Sequence, residues 1–137
     1  MTPLVVDSSV AYKWLSHVDE DHVEEALSLL AEHRAGVLLL VAPSLLHVEL
    51  ANALVGSRHV SQEAALEIIE GLEALHVELI PGTPARLRAA ALLSYHHQLS
   101  IYDALFLQLA EELDCPLVTA DRKAFAGVDS PAEIRLL

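Results

Sequence analysis

Four carboxylates stand where the local pattern of the chain calls for other residues: Asp7, Glu49, Asp103 and Asp121. Each lies on an apolar helical stripe or at the end of an apolar strand, where a charge is costly unless something compensates it. Two like charges about 4 Å apart repel by roughly 4 kcal/mol at an effective dielectric near 20. Three or four converging carboxylates therefore either take up protons or hold cations. An all-oxygen set suits Mg²⁺ or Mn²⁺, and two such ions roughly 3.5–4 Å apart activate a water and stabilise the leaving oxygen of a phosphodiester. The chemistry to look for is metal-assisted hydrolysis.

Each acid also has an ordinary reading. Asp7 follows Leu4-Val5-Val6 and precedes two serines; a helix N-cap is a common task for Asp there, one that Ser8 or Ser9 would perform equally well. Glu49 has Leu45, Leu46, Asn52 and Ala53 one turn away. It is either a rim glutamate whose stem packs on leucine or a ligand that Asn52 orients. Asp103 lies among Leu99, Phe106 and Leu107, yet Ser100-Ile101-Tyr102-Asp103 has the spacing of a capping box. Taken alone, capping is the better account of Asp103; beside Asp7 and Glu49, a metal is. Asp121 precedes Arg122-Lys123, a turn aspartate paired with its neighbours or a fourth ligand. Thr119, two residues earlier, is expected on the same side.

The elements that must position these groups follow from periodicity and punctuation. Strands are predicted at Leu4–Val6, Val37–Ala42, Val77–Ile80, Pro116–Thr119 and Ile134–Leu136. Helices are predicted from Ser8 to about Leu15, Asp19–Arg34, Pro43 to about Gly56, Ser61–Leu75, Thr83–His97, Ser100–Leu113 and a turn over Arg122–Ala126. Alternating strands and helices imply a mainly parallel sheet covered on both faces, a three-layer α/β sandwich. In such sheets ligands bind beyond the carboxyl ends of the strands, where Asp7 and Asp121 fall.

The 137 residues suffice for one domain with a buried core, and no linker or repeat divides them. Hydrophobic residues make up 53% with few aromatics, and a mean hydropathy of +0.40 suggests that another copy or another protein covers part of the apolar surface. No run reaches the roughly 18 apolar residues of a membrane helix. The lone Cys115 forms no internal disulfide, and with no signal-like opening the cytoplasm is the expected compartment. The net charge of −12 weighs against a nucleic-acid partner, unless bound cations invert the local field.

Several other routes fail. His47-Val48-Glu49 has the His-x-Glu of zinc deaminases, but the Pro-Cys-x-x-Cys that must accompany it is missing. The five glycines form neither a P-loop nor a dinucleotide fingerprint, and no Gly-x-Ser-x-Gly elbow occurs. Two rivals to a nuclease stay open: a metal-dependent phosphatase on a small phosphoester, and a non-catalytic binding module. Hydrolysis of a chromogenic ester without RNA cleavage would favour the first, and indifference to metal the second.

Four segments together resemble one family. Leu4-Val5-Val6-Asp7-Ser8-Ser9, Glu49-Leu50-Ala51-Asn52-Ala53-Leu54, Tyr102-Asp103-Ala104-Leu105-Phe106 and Leu117-Val118-Thr119-Ala120-Asp121 are similar, in order and spacing, to PIN-domain nucleases. Total length points to the small VapC-type toxins among them. The resemblance spans essentially the whole chain. It implies a Mg²⁺- or Mn²⁺-dependent endoribonuclease with an acidic quartet at Asp7, Glu49, Asp103 and Asp121. Asp7 and Asp103 would be the main direct ligands, with Thr119 orienting water or the metal shell. It also implies in-line attack leaving a 5′-phosphate and a 3′-hydroxyl, a homodimer, and a small neutralising antitoxin. Lys13, Arg122 and Lys123, near the site in sequence, are the candidate phosphate contacts. The acidity of the chain departs from what an RNA-binding enzyme suggests.

Overall fold

The computed structural model describes all residues, Met1–Leu137. Five strands, β1 (Thr2–Val6), β2 (Leu38–Pro43), β3 (Glu78–Ile80), β4 (Leu117–Thr119) and β5 (Ile134–Leu136), form one sheet in the order β3-β2-β1-β4-β5. Every pairing is parallel. Seven helices flank it: α1 (Ser8–Ala11), α2 (Val23–Arg34), α3 (Leu45–Gly56), α4 (Gln62–Glu70), α5 (Pro84–His97), α6 (Ile101–Leu113) and α7 (Arg122–Phe125). No helix is long and apolar enough to cross a membrane.

Successive strand side chains point to opposite faces, so consecutive buried residues mean that both faces are covered. Leu4, Val5 and Val6 of β1, Leu40, Val41 and Ala42 of β2, and Leu117 and Val118 of β4 are all buried. This is the expected α/β sandwich. Leu46, Leu50 and Leu54, at every fourth position of α3, carry that helix onto the core.

The strand order fixes where a ligand belongs. The chain runs outward from β1 through β2 to β3, then returns to the other side of β1 as β4. The gap beyond the carboxyl ends of β1 and β4 is therefore the topological switch point, the crevice where such sheets bind their ligands. Register sets Val6 beside Val118, and the Asp7 N–H donates to the Val118 carbonyl at 2.9 Å, so Asp7 emerges beside Thr119.

Several boundaries differ from expectation. The helix expected from Ser8 to about Leu15 is α-helical only to Ala11 and continues as a 3₁₀ turn over Tyr12–Trp14. Pro43, expected to open a helix, ends β2. The helix expected from Asp19 begins only at Val23, because Asp19 and His22 both take the left-handed conformation, each with φ 56°, which interrupts a right-handed helix. The helix expected to run to Leu75 stops at Glu70, and Leu72–Leu75 continues as a 3₁₀ turn beyond Gly71.

Candidate active site

The structure brings all four carboxylates to the wall of one cavity of about 630 Å³ at the switch point. Asp7 reaches it from the end of β1, Glu49 from the middle of α3, Asp103 from the first turn of α6, and Asp121 from the turn after β4.

Asp7 is almost wholly buried, 2% exposed. It occupies the N-cap position of α1, yet its side chain makes no capping bond. Its Oδ2 instead accepts from the hydroxyls of Ser9 and Thr119, the latter at 2.8 Å. Burial pushes its carboxyl above the usual range; the two hydroxyls oppose that shift, and the charge of Asp121 adds to it.

Glu49 is half-buried, and its Oε1 accepts from the Ser8 hydroxyl at 3.0 Å. Burial raises it, Ser8 lowers it, and the charges of Asp7 and Asp103 raise it further. The expected orienting role of Asn52 is not borne out: Asn52 is exposed and lies off the cavity. Ser8, which is distant in sequence from Glu49, holds the carboxylate instead.

Asp103 lies in the capped first turn of α6 and also faces the cavity. Ser100 Oγ accepts from the Asp103 N–H at 3.1 Å, capping α6. The Asp103 carboxylate is half-buried at the cavity. Burial raises it first, then the charge of Asp7, with the Ser100 hydroxyl opposing and Asp121 adding. The amino end of α6 also favours negative charge there.

Asp121 does not pair with Arg122 or Lys123. Its Oδ1 accepts from the Ala124 N–H at 3.0 Å, capping α7, which leaves Oδ2 free of protein hydrogen bonds. Thr119 is fully buried and faces the site as expected, donating to Asp7 and accepting from the Asp121 N–H at 3.1 Å. Of the basic candidates, Lys13 and Arg122 line the cavity and Lys123 does not.

Two supporting residues escaped the sequence reading. Ser8 holds Glu49, and Ser9 both donates to Asp7 and accepts from the Ala120 N–H at 2.9 Å, tying β1 to the end of β4. The one signal was their adjacency to Asp7, which a capping role explained equally well.

The donor set is all carboxylate and hydroxyl oxygen. None of the four acids forms an ion pair, and three are pushed up by burial and by one another. Such a set fits a hard divalent cation. It is an open, lined cavity and not a closed cage, since no three His, Cys, Asp or Glu groups are drawn together at ligand spacing.

Comparison with known proteins bears on the family and the fold. The sequence profile of the PIN domain matches residues 4–130. Ribonuclease VapC1 of Mycobacterium tuberculosis is 35% identical over 99 residues, covering 70% of this chain and 73% of that protein. Among solved structures, VapBC2 from Rickettsia felis bound to a promoter DNA fragment aligns with a TM-score of 0.71 at 15% identity, over 99% of both chains. VapBC-5 from Mycobacterium tuberculosis aligns with a TM-score of 0.63 at 18% identity, over the full length of both. At these identities the structural matches establish the fold alone.

Proposed function

The chain belongs to the PIN domain family, and on that footing we propose that it is a metal-dependent endoribonuclease, the toxin of a toxin–antitoxin pair. The observation that carries the reading is the convergence of Asp7, Glu49, Asp103 and Asp121 on one cavity with no cation paired to any of them. The relative's name, a ribonuclease, favours RNA over the small phosphoester of a phosphatase.

Asp7 and Asp103 would hold Mg²⁺ or Mn²⁺ directly, with Glu49 and Asp121 completing the shell directly or through water. What the cation supplies when bound is charge neutralisation at the phosphate and easier loss of a proton from the attacking water. The chain's own residues do the rest. Ser9 and Thr119 fix the Asp7 carboxylate through Oδ2, and Ser8 fixes Glu49 through Oε1. Glu49 Oε2 and Asp121 Oδ2, both without protein hydrogen bonds, would be the oxygens that take the proton of the attacking water. Lys13 and Arg122, which line the cavity, are the basic residues nearest to where the phosphate would lie.

A small antitoxin and a second copy of the chain complete the reading. Val48 and Val55 on α3, Leu66 on α4, and Leu92 and Tyr95 on α5 are all more than half exposed, and partners of that kind would cover them. The similar solved structures include toxin–antitoxin assemblies.

The test is cleavage of a labelled total-RNA pool by the purified protein with Mn²⁺ or Mg²⁺ and with EDTA, beside Asp7→Asn. Discrete fragments that require metal and vanish in the variant are expected. Fragments that persist in EDTA or in the variant would overturn the assignment.

A further inference from the structure

Lys13 is the one buried basic side chain of the protein, 5% exposed. A lysine is rarely buried without a partner, and its partner here is Glu20, Nζ to Oε1 at 3.0 Å. Glu20 belongs to the segment between the 3₁₀ turn at Tyr12–Trp14 and α2, whose Asp19, Glu20, Asp21 and His22 wall the same cavity as the acidic quartet. Lys13 makes no other ion pair, so its charge is directed at Glu20.

The segment is lightly held. His17, Val18, Asp19, Asp21 and His22 are exposed, and two of them are strained into the left-handed region. Apart from the Lys13–Glu20 pair, its ties are a surface pair between Asp19 and His59 at 3.0 Å and a long turn bond from the Glu20 N–H to the His17 carbonyl at 3.3 Å. At its far end the Ala26 N–H donates to the His22 carbonyl at 3.1 Å, with an exposed approach of His22 to Glu25 at 3.8 Å. Segments with few buried contacts and exposed pairs are those that open at least cost. A carboxylate on a buried ammonium at the wall of the cavity is an anion that a phosphate would have to replace.

We propose that Glu20 is a built-in competitor for the substrate phosphate at Lys13, so that the Asp19–His22 segment is a latch which RNA must displace. Lys13 is thereby a substrate-positioning residue whose charge becomes available only when the latch opens. The proposal rests on the ribonuclease reading for the identity of the phosphate.

The test measures affinity for a fluorescent single-stranded RNA with EDTA present, so that no strand is cut, and KM and kcat for the same RNA with Mg²⁺. Glu20→Gln keeps the size of the side chain and an amide oxygen for the ammonium, but removes the competing charge. It is expected to tighten binding and lower KM by roughly fivefold, with kcat unmoved. Lys13→Met should weaken binding and make its salt dependence shallower by about 0.7 in log–log slope, the loss of one phosphate contact on a single strand. Added to Lys13→Met, Glu20→Gln should change affinity no more than Glu63→Gln does, an exposed acid away from the cavity. The latch is overturned if Glu20→Gln gains only what Glu63→Gln gains, or if its gain persists undiminished in the Lys13→Met background. Should Lys13→Met fail to fold, the comparison of Glu20→Gln with Glu63→Gln decides alone. RNA cut by the wild type without this coupling would sink the latch and leave the nuclease. A protein that cuts no RNA, yet shows the same coupling in its affinity for inorganic phosphate, would sink the RNA reading and leave the latch.

Discussion

Thr119 Oγ1 donates to Asp7 Oδ2 at 2.8 Å across 112 residues of sequence, because parallel register sets the ends of β1 and β4 side by side at the switch point. The same hydroxyl accepts from the Asp121 N–H, so one buried side chain aligns two members of the quartet. Thr119→Val, nearly isosteric, keeps the packing and removes both bonds. It should lower metal-dependent cleavage by roughly 10- to 100-fold, as loss of a group that orients a ligand does. Steady-state kinetics on a defined RNA would check this; undiminished activity would show that Thr119 orients nothing.

Asp7→Asn separates stability from activity. The buried carboxylate accepts two hydroxyl bonds that an amide oxygen can also accept, while its charge meets no cation in the protein. Without metal the variant should therefore be more stable than the wild type, by about 1 kcal/mol or ~4 °C in melting temperature. Its cleavage should fall beyond the roughly 100-fold expected for a merely supporting residue. Calorimetry in EDTA beside cleavage in Mg²⁺ measures both, and a variant less stable than wild type in EDTA would contradict the account of Asp7 as an uncompensated charge.

The raised carboxyls of Asp7, Glu49 and Asp103 set the pH dependence. Each binds a proton more tightly in the folded chain than in the unfolded one. Metal-free stability from these groups therefore declines as pH rises from about 4 through the folded-state values, then levels. A cation binds the ionised forms and releases protons, so its contribution runs the other way. At a hundred times its dissociation constant it adds about 2.7 kcal/mol. Melting curves from about pH 4.5 to pH 8, in EDTA and in Mn²⁺, should diverge as pH increases. A gap of constant width, or none, would remove these carboxylates from the metal site.

Much of this arrangement was legible in the chain because its signals are local. Apolar runs ending at Asp7 and near Asp121 placed both acids at carboxyl ends of strands, and the i+3 and i+4 neighbours of Glu49 and Asp103 showed that each projects from an apolar side. What stayed hidden depends on long-range register. Ser8 meets Glu49 across 41 residues, and nothing in either segment distinguishes that serine from a cap. Asn52, one turn from Glu49, looked like its partner by helical spacing alone, but α3 turns that position to solvent. The acids at Asp19–Asp21 read as a first helical turn because they suit the dipole. Left-handed Asp19 and His22 make them instead a wall of the cavity, a conformation for which side-chain type gives only a weak cue.

The end of the sheet remote from the cavity offers the control for all of these variants. There His33 of α2 accepts from the Leu40 N–H through Nδ1 at 3.1 Å and, with its proton on Nε2, meets the His76 carbonyl at 2.9 Å. The ring thus ties α2 to β2 and to the approach of β3. His33→Ala removes both bonds and strands a buried donor, a loss of about 1–2 kcal/mol, or ~4–8 °C in melting temperature. The quartet lies at the opposite ends of the strands, so kcat and KM measured well below the melting transition should equal those of the wild type. A kinetic defect in His33→Ala at such temperatures would mean that global loosening reaches the site, and losses in Thr119→Val or Asp7→Asn would then need correction for stability before being assigned to chemistry.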